Sequence, residues 1–254
     1  MIIGYTHIRK GNDFVDVVIV TGASKGIGYE LSKQLQNLGK KVISIARTSN
    51  KELTSFVKAD LSKTDQLEDI LSSIITSHVE KATSFTLINN AGIVDPIGLV
   101  GDLQAFDIEK SIAVNLTAPM ILSNTFIGKL KDVSIPKRIV NISSGAGRNP
   151  YEGWGAYCST KAGLDHFTRV IAMEQAKEKY PVEVVSIAPG IIDTAMQETI
   201  RSSDKEDFPL LDQFITYKDQ GILSSAKETA EQLITVMGND DFKLIGPIAD
   251  LRKL

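Results

Sequence analysis

The order of a buried strand, a glycine-rich turn, a helix and a second strand near the start of the chain constrains the fold most. Val15–Val20 is a nearly continuous run of β-branched residues, which is typical of a strand covered on both faces of a parallel sheet. The turn Thr21–Gly28 follows directly, and leucines then recur at helical spacing over residues 31–38. Lys41–Ala46 has the pattern of a second buried strand. A strand–helix–strand unit of this kind pairs its strands in parallel, so a parallel sheet is predicted.

The glycines of this turn have separate physical roles in binding a dinucleotide. Gly22 permits the tight turn, Gly26 lets the backbone approach a pyrophosphate, and Gly28 lets the helix pack closely on the strand. The amides at the start of the helix then face the phosphates. Such a turn between a buried strand and an amphipathic helix predicts a dinucleotide site. Its predicted members in the turn are Gly22, Ser24, Lys25, Gly26, Ile27 and Gly28.

The residues that end the second strand indicate which dinucleotide is bound. NAD-binding folds usually place an Asp or Glu there, about 20 residues past the glycines, to hold the ribose 2′-hydroxyl. Residues 46–48 read Ala-Arg-Thr and contain no carboxylate. Arg47 can pair with a 2′-phosphate and Lys25 adds a second cation, although each alone could be a surface cation. The absence of the acid together with both cations predicts NADP(H).

The rest of the chain alternates strands with helices and contains no internal repeat or linker. Further strands are predicted at residues 56–59, 85–88, 138–142 and 182–188, and helices at 63–79, 102–130 (two patterns that meet near 114–116), 156–179 and 226–237. This alternation predicts one α/β domain over residues 1–254, a Rossmann-type, doubly wound parallel sheet with helices on both faces in three α/β/α layers.

Two segments stand apart from this alternation. Residues 1–14 precede the first strong signal and are expected to form a short strand or a frayed lead-in. The polar segment 191–220 follows the carboxyl end of a strand, where a substrate lid would lie, and its alternative is a surface excursion with no role.

Composition limits the function classes. The chain has a net charge of −3 and no Lys/Arg cluster, which argues against nucleic acid or an anionic membrane as partner. No apolar run reaches the ~18 residues of a membrane helix, and the start lacks the apolar core of a secretory signal. The single cysteine, Cys158, fits a reducing cytoplasm and is expected to be a buried thiol rather than a nucleophile. His7, His78 and His166 have no metal-ligand spacing, so no metal is predicted.

Tyr157, Lys161 and Ser144 are the candidate catalytic residues. Tyr157 and Lys161 stand four residues apart and therefore share one face of a helix. An ammonium group beside a tyrosine is expected to lower its pKa below the usual ~10. Ser144 lies at the end of the preceding strand, where its hydroxyl can reach the same site. A tyrosine and a lysine at this spacing occur often by chance. The alternative interpretation is a tyrosine anchored at the start of a helix and a solvated lysine without a catalytic role. The remaining motifs argue against this alternative.

Six motifs together resemble one family. The chain resembles the short-chain dehydrogenase/reductases over nearly its whole length. The matching motifs, in order, are Thr21–Gly28, Asn89–Gly92, Asn115, Ser143–Ser144, Tyr157–Lys161 and Pro189–Thr194. Within the family, Arg138–Gly163 and Pro189–Arg201 resemble the bacterial benzil reductases of the sepiapterin-reductase-like branch. These reduce one carbonyl of an aromatic 1,2-diketone with NADPH and give an (S)-hydroxyketone.

The resemblance implies a role for each catalytic candidate. Tyr157 would be the general acid that protonates the carbonyl oxygen, and Lys161 would stabilise the phenolate and hold the nicotinamide ribose. Ser144 would bond the developing oxyanion, and Asn115 would position a water that links Lys161 to bulk solvent. The remaining expected cofactor contacts are Asp60 and Leu61 at the adenine, Asn89, Ala91 and Gly92 on the adenosine side, and Pro189, Gly190, Ile192 and Thr194 at the nicotinamide.

The substrate end leaves alternatives open. An apolar wall is expected from Ala146, Tyr151, Trp154 and Met196, although an aromatic beside a helix start is as often core as pocket. Arg148 is either a donor to the second oxygen of a diketone or a solvated loop cation. The tail Phe242–Leu254 departs from the benzil reductase pattern, and by offset Asp250 matches the acid that anchors the pterin in sepiapterin reductases.

Three functions are therefore compared. The first is an NADPH-dependent reductase of a small-molecule α-dicarbonyl. The second keeps the chemistry and acts on a pterin or another ketone. The third is a dinucleotide-binding regulator without activity, against which an intact Ser, Tyr, Lys and Asn set argues. The resemblance also implies a homodimer or homotetramer.

Overall fold

A seven-stranded parallel sheet forms the centre of the computed structural model, which describes residues 14–239 and 242–254. The strands are β1 (Val15–Thr21), β2 (Lys41–Ala46), β3 (Phe56–Lys58), β4 (Ala82–Asn89), β5 (Lys137–Ile142), β6 (Glu183–Ala188), β7 (Ile192–Asp193), β8 (Ser224–Ser225) and β9 (Ile248–Asp250). The sheet order is β3-β2-β1-β4-β5-β6-β9, and β7 pairs with β8 separately. The helices are α1 (Gly26–Asn37), α2 (Leu67–His78), α3 (Ala105–Ile112), α4 (Ala118–Leu130), α5 (Gly155–Gln175), α6 (Ala195–Arg201), α7 (Leu211–Asp219) and α8 (Ala226–Gly238).

Helices cover both faces of this sheet because its central strands are apolar on both sides. In β1, Val17 and Ile19 point into the core that holds α2, α4 and α5, whereas Val18 and Val20 point into the core that holds α1 and α8. This alternation follows from the two-residue period of a strand. The predicted doubly wound, three-layer α/β/α fold is confirmed.

The chain reverses direction across the sheet between β1 and β4. From β1 the sheet continues through β2 and β3 to one edge, and from β4 through β5 and β6 to the other. In such folds the loops at the carboxyl ends of the strands separate at this point and leave a crevice for ligands. The glycine turn after β1 and the Asn89–Gly92 motif after β4 both lie there.

A continuous helical stretch runs from Ala105 to Leu130 and contains one π-helical turn, Ala113–Thr117. By length and composition this stretch could cross a membrane, but half of its 18-residue apolar window is buried inside the protein. Leu122, Phe126 and Leu130 on α4 pack into the core beside β4 and β5. It therefore has the packing of a core helix, and the two predicted patterns meet where the π-helical turn lies.

Some boundaries differ from those predicted. A 3₁₀ turn over 64–66 precedes α2, so that helix begins at Leu67 rather than at 63. Helix α5 ends at Gln175 rather than near 179, and the Gln175 side chain accepts a hydrogen bond from the Val182 amide at 2.9 Å. The edge strand β9 was not predicted, because its three residues form no apolar run. The lead-in predicted for residues 1–14 lies outside the described residues except for Phe14.

Candidate active site

A cavity of about 1140 Å³ opens at the carboxyl ends of the strands. Its wall contains the glycine turn after β1, the residues after β2, β4, β5 and β6, and side chains of α6 and α7. Pockets for drug-sized ligands are typically ~300–1,000 Å³. This cavity is therefore large enough for a dinucleotide beside a small substrate.

The glycine turn is shaped by its missing side chains. Gly22 and Gly26 have positive φ angles of 66° and 58°, and a Cβ on Gly22 would lie 2.8 Å from the Cα atom of Ala91. Gly22, Ser24, Lys25, Gly26 and Ile27 line the cavity. Gly28 does not line it, because it packs against the loop after β4, where a Cβ would lie 2.3 Å from Asn90 Nδ2. This is the close-packing role expected for the third glycine.

Polar residues follow β2 and β3 on the same wall. Arg47, Asp60 and Leu61 line the cavity, as does Thr48. Hydrogen bonds from Ser62 lower the pKa of the Asp60 carboxyl, and the Arg47 charge adds to this effect. The end of β2 thus presents a cation and no carboxylate.

Asn89 does not line the cavity, so its predicted contact with the adenosine side is wrong. Its side chain is buried and donates to Asn141 Oδ1 at 2.8 Å and to Ser123 Oγ at 3.2 Å, within the core between β4 and α4. The next residue, Asn90, lies on the wall with Ala91 and Gly92. Asn90 Nδ2 donates to Thr21 O at 2.9 Å and so ties the loop after β4 to the glycine turn.

Tyr157 and Ser144 meet at the inner end of the cavity. Tyr157 lies in the first turn of α5, and Ser144 lies two residues beyond the end of β5. The two side chains form a hydrogen bond, and Ser144 Oγ also accepts from the Ala146 amide at 3.2 Å. Both line the cavity, although Tyr157 is only 7% exposed. A phenol and a hydroxyl are thus directed at one point from two elements.

Lys161 lies one helical turn beyond Tyr157 and is also buried. Its Nζ atom lies 5.8 Å from the centre of the Tyr157 ring and donates to Ile142 O, at the end of β5, at 2.9 Å. Burial lowers the pKa of Lys161 to about 8, and the charge of Asp165 acts in the opposite direction. Lys161 is therefore held in place by the strand that also positions Ser144.

The expectation that Lys161 lowers the pKa of Tyr157 is wrong for this structure. Burial raises the pKa of Tyr157 to about 12, and its hydrogen bond with Ser144 is what acts in the lowering direction. The physical reason is that removing a phenolate from water is costly, and this effect of burial outweighs the hydrogen bond with Ser144. Tyr157 consequently holds its proton at neutral pH.

Asn115 lies in the π-helical turn between α3 and α4 and does not reach the cavity. Its side chain exchanges two hydrogen bonds with the backbone of Ile93, at 2.9 and 2.8 Å. Gly92 leaves room beside it, because a Cβ there would lie 3.4 Å from Asn115 Oδ1 and 3.7 Å from Lys161 Nζ. Asn115 therefore fixes the loop that lies next to Lys161, and the water link stays a prediction.

Arg148 does not line the cavity, so its predicted role as a substrate donor is wrong. It is a solvent-exposed loop cation, the alternative considered for it, and it is paired with the buried Asp165. Its Nε atom donates to Asp165 Oδ2 at 3.1 Å, and its Nη2 atom donates to Ala249 O at 2.9 Å. Asp165 also accepts from Ser186 Oγ at 2.6 Å. The network joins the loop after β5 to α5, β6 and β9.

An aromatic cluster closes the substrate end. Trp154 stacks on Phe208 with ring centres 4.8 Å apart and an interplanar angle of 11°. Phe214 and Tyr157 contact the same indole edge-on at 5.2 and 5.6 Å. The four residues predicted for an apolar wall, Ala146, Tyr151, Trp154 and Met196, all line the cavity. Trp154 belongs to the hydrophobic core and also lines the cavity, so the two alternatives considered for it, core and pocket, do not exclude each other.

The segment 191–220 contributes side chains that the sequence did not single out. It folds into β7, α6 and α7, and Phe214, Tyr217 and Lys218 of α7 line the cavity. Lys218 Nζ lies 2.6 Å from Asp193 Oδ2, which joins α7 to β7. The spacing of Phe214 and Tyr217 on one helix face was the available signal in the sequence, but only the fold brings them to the cavity wall beside Trp154.

The loop after β6 and the tail complete the wall. Pro189, Gly190, Ile192 and Thr194 line the cavity as expected. From the tail, Arg252 lines it and Asp250 does not. Asp250 accepts hydrogen bonds from Arg252 Nε at 2.9 Å and Nη2 at 2.6 Å. Asp250, which was predicted from its offset in the sequence, is thus paired with Arg252, which was not predicted.

Comparison with known proteins identifies relatives over most of the chain. The family model described as short chain dehydrogenase matches residues 16–205. The benzil reductase ((S)-benzoin forming) of Bacillus cereus is 42% identical over 236 residues, which cover 89% of this chain and 95% of that protein. Its namesake from Bacillus subtilis (strain 168) is 40% identical over 228 residues, with 88% and 93% covered. The sepiapterin reductase of Rattus norvegicus is 29% identical over 248 residues, with 89% and 93% covered.

Solved structures share the architecture. The aldohexose dehydrogenase of Thermoplasma acidophilum, in ligand-free form, has a TM-score of 0.77 at 22% identity, covering 94% of this chain and 93% of that one. A 4-hydroxyisoleucine dehydrogenase complexed with NADH has a TM-score of 0.76 at 26% identity, with 92% and 96% covered. The fold and the similarity to benzil and sepiapterin reductases therefore agree with the motifs.

Proposed function

Because this chain belongs to the short-chain dehydrogenase family, we propose that it is an NADPH-dependent carbonyl reductase that converts one carbonyl of a 1,2-diketone, such as benzil, to a hydroxyl group. The observation that carries the proposal is the meeting of Ser144 and Tyr157 beside Lys161, on the wall of a cavity that an aromatic cluster closes. The similarity to benzil reductases of two Bacillus species supports the substrate class.

The residues at the carboxyl ends of the strands fit a nicotinamide dinucleotide. Gly22 and Gly26 line the cavity with positive φ angles, and a Cβ at Gly22 would lie 2.8 Å from the Cα atom of Ala91, so the turn needs glycine there to bring its backbone towards a pyrophosphate. The residues that would hold the cofactor are those of the turn, then Asp60, Leu61, Asn90, Ala91 and Gly92, and at the nicotinamide Lys161, Pro189, Gly190, Ile192 and Thr194. When bound in its reduced form, the nicotinamide supplies the hydrogen and electron pair that the carbonyl carbon accepts.

The preference for NADPH rests on charge at the end of β2. Arg47 and Lys25 both line the cavity, and residues 46–48 contain no carboxylate that would repel a 2′-phosphate. An arginine pairs with phosphate through its planar fork, which a ribose hydroxyl cannot match. NADPH is therefore the expected partner.

Tyr157 is the proposed proton donor. A phenol whose pKa is raised to about 12 keeps its proton until an alkoxide, a far stronger base, forms at the carbonyl oxygen. Ser144 would hold that oxygen through its own hydroxyl, and the positive charge of Lys161 would stabilise the phenolate once the proton has left. Lys161 can act in this way because its Nζ atom, held by Ile142 O, lies 5.8 Å from the centre of the Tyr157 ring.

The aromatic cluster gives the substrate end its proposed selectivity. Trp154, Phe214 and Tyr217 offer flat apolar surfaces for an aryl ring next to Tyr157. The segment 191–220 would act as the lid over this ring, and the ion pair between Lys218 and Asp193 would help to hold it closed. A second carbonyl beside the reacting one withdraws electron density and favours the addition.

Assembly and location are further parts of the proposal. We expect a homodimer or homotetramer in the cytoplasm. Phe106 on α3 and Met173 on α5 are each 71% exposed and are candidate positions for a contact between subunits. Light scattering on the purified protein measures the assembly directly.

One assay tests the proposed function and its competitors. NADPH oxidation by the purified protein is followed with benzil, 1-phenyl-1,2-propanedione, sepiapterin and acetophenone. The proposal expects the diketones to have the highest kcat/KM, about 10-fold or more above acetophenone. Strong preference for sepiapterin that disappears in Asp250→Ala would establish a pterin reductase instead. NADPH binding with no oxidation by any of the four compounds would favour a non-catalytic regulator.

A further inference from the structure

The tail brings an arginine to the substrate end of the cavity. Strand β9 pairs with β6 so that Asp250 lies beside Ala188, the last residue of β6. The chain then turns, and the aliphatic stem of Arg252 passes over Gly190, where a Cβ would lie 3.3 Å from Arg252 Cδ. Gly190 lines the part of the wall proposed for the nicotinamide. A side chain at Gly190 would push Arg252 away from this position.

The neighbours of Arg252 connect it to the catalytic residues. Asp250, and to a smaller extent Tyr151, raises the pKa of the guanidinium, so it stays charged. The Tyr151 ring lies 5.4 Å from Trp154, whose ring lies 5.6 Å from Tyr157. Arg252, Tyr151, Trp154 and Tyr157 all line the same cavity. The guanidinium thus lies on the wall that faces the substrate.

Asp250 occupies only part of the donor capacity of Arg252. Its carboxylate accepts from Nε and Nη2 of the guanidinium and from the Arg252 amide. A guanidinium has more N–H groups than one carboxylate can engage, so donors remain for a ligand. Asp250 does not line the cavity and its carboxylate is occupied by Arg252, so it could anchor a pterin only by giving up these bonds.

We propose that Arg252 determines substrate specificity by donating a hydrogen bond to the spectator carbonyl oxygen of a 1,2-diketone while Tyr157 protonates the reacting one. This inference rests on the proposed function and names the residue that recognises the second oxygen. The pair of Arg252 with Asp250 is neutral overall, which suits an uncharged acceptor. The carboxylate of an α-keto acid would be repelled by Asp250.

Three other cations near the carbonyl side, Lys161, Lys218 and Arg148, are less suited to this role. Lys161 is buried and its Nζ atom is directed to Ile142 O. Lys218 is paired with Asp193 between β7 and α7, and a single ammonium lacks the fork of a guanidinium. Arg148, which precedes the aromatic cluster in the chain, is engaged by Asp165 and Ala249. Arg252 combines a position at the nicotinamide end with free donors.

The test compares two ketones that differ by the spectator oxygen. We would measure kcat/KM for 1-phenyl-1,2-propanedione and for propiophenone, which lacks the second carbonyl, in the unmodified protein, Arg252→Met and Arg252→Lys. Arg252→Met should reduce the diketone-to-ketone ratio about 10-fold, mainly through KM, because the bond forms in both ground and transition states. Arg252→Lys should show a smaller loss. Lys253→Met is the matched control, since Lys253 is an exposed neighbour that does not line the cavity.

A second variant tests the neutral pair. Asp250→Asn frees the charge of Arg252 and should raise kcat/KM for phenylglyoxylate, an α-keto acid, relative to the diketone about 3-fold or more.

The outcomes separate this inference from the proposed function. If the unmodified protein prefers the diketone and both Arg252 variants have the same diketone-to-ketone ratio of kcat/KM, the inference is wrong and the proposed function stands. If both substrates lose activity equally, Arg252 has only a structural role and the inference is again wrong. If the unmodified protein reduces neither ketone, the proposed function fails and the inference fails with it.

Discussion

On the dinucleotide side of the cavity, the wall is built around the backbone of a glycine turn, to which Lys25 and Arg47 add their side chains, whereas on the carbonyl side it is built from side chains of distant segments. The dinucleotide side consists of the glycine turn, residues 46–48 and the loop after β4, all directly behind strands of the central sheet. The carbonyl side consists of residues 144–157, the segment 191–220 and Arg252, which are far apart in the chain. A wall built around backbone needs glycines at fixed spacing, and this spacing can be recognised directly in a sequence. A wall of side chains depends on how distant segments pack.

The largest expected effect separates chemistry from cofactor binding. Tyr157→Phe removes the proposed proton donor and leaves the dinucleotide side unchanged. We expect kcat/KM for 1-phenyl-1,2-propanedione to fall about 1000-fold while the Kd of NADPH changes less than about 3-fold. The matched control is Tyr151→Phe, another cavity tyrosine, for which about 10-fold or less is expected. Substantial turnover by Tyr157→Phe would mean that another group supplies the proton.

The second effect concerns the charge buried on the carbonyl side. The pKa of Lys161 falls from 10.5 to about 8 in the folded protein, so the unfolded state binds more protons between these values. Without cofactor, the free energy of unfolding of the unmodified protein should therefore rise from pH 8 to pH 10 relative to Lys161→Met. At ~1.4 kcal/mol per unit, with partial protonation at both ends of this range, the change is about 2 kcal/mol.

Urea unfolding at pH 7, 8, 9 and 10 measures this difference. The raised pKa of Tyr157 acts only above its unfolded value of ~10, where it makes stability fall with pH. The free energies of unfolding of the two proteins are therefore compared only up to pH 10. The exposed Lys253→Met is the control and should follow the unmodified protein. Parallel curves for Lys161→Met and the unmodified protein would show that Lys161 is not buried in solution.

The third effect tests the backbone-built side. Gly28→Ala adds a Cβ that would lie 2.3 Å from Asn90 Nδ2 and 2.5 Å from Gly22 O. The displaced loops should weaken NADPH binding about 30-fold, or ~2 kcal/mol. Gly128→Ala, a helical glycine with nothing within 4 Å of the added Cβ, should bind normally. Normal binding by Gly28→Ala in a fluorescence titration would contradict the close packing of this turn.

The smallest effect is the choice between the two dinucleotides. NADPH should bind at least ~10-fold tighter than NADH, which corresponds to about 1.4 kcal/mol. Arg47→Asp should narrow or reverse the difference, because a carboxylate repels the 2′-phosphate and accepts from a ribose hydroxyl. Lys51→Asp makes the same charge change at an exposed position off the wall and should leave the preference intact. Equal affinities in the unmodified protein would refute the assignment.

The sequence predicted the central strands well, since each is a run of β-branched or apolar residues buried on both faces. It did not predict β9, because the three residues Ile248–Asp250 become a strand only by pairing with β6. The glycine turn and the close packing of Gly28 were predicted, but Gly28, a predicted cofactor contact, does not line the cavity. The assignment of Asn89 instead of Asn90 to the wall failed because successive residues at the end of a strand point to opposite faces.

On the carbonyl side, residue types were predicted better than their surroundings. Tyr157, Ser144 and Lys161 do converge, but the direction of the Tyr157 pKa shift depends on burial, which no spacing reveals. Arg148 was considered for the spectator oxygen because it lies near Tyr157 in the chain, yet Asp165 engages it. Arg252, about a hundred residues further on, reaches the wall instead.

The most direct test of the central claim is the stoichiometry and product of benzil reduction by the unmodified protein. Benzil is incubated with excess NADPH, the oxidation is followed by absorbance, and the products are resolved by chiral chromatography. The account predicts that one NADPH is consumed per benzil and that benzoin is the product. Benzoin retains only one carbonyl, so it lacks the second carbonyl through which the substrate is recognised and is a poor substrate. Absence of NADPH consumption, or conversion through to the diol at a comparable rate, would contradict it.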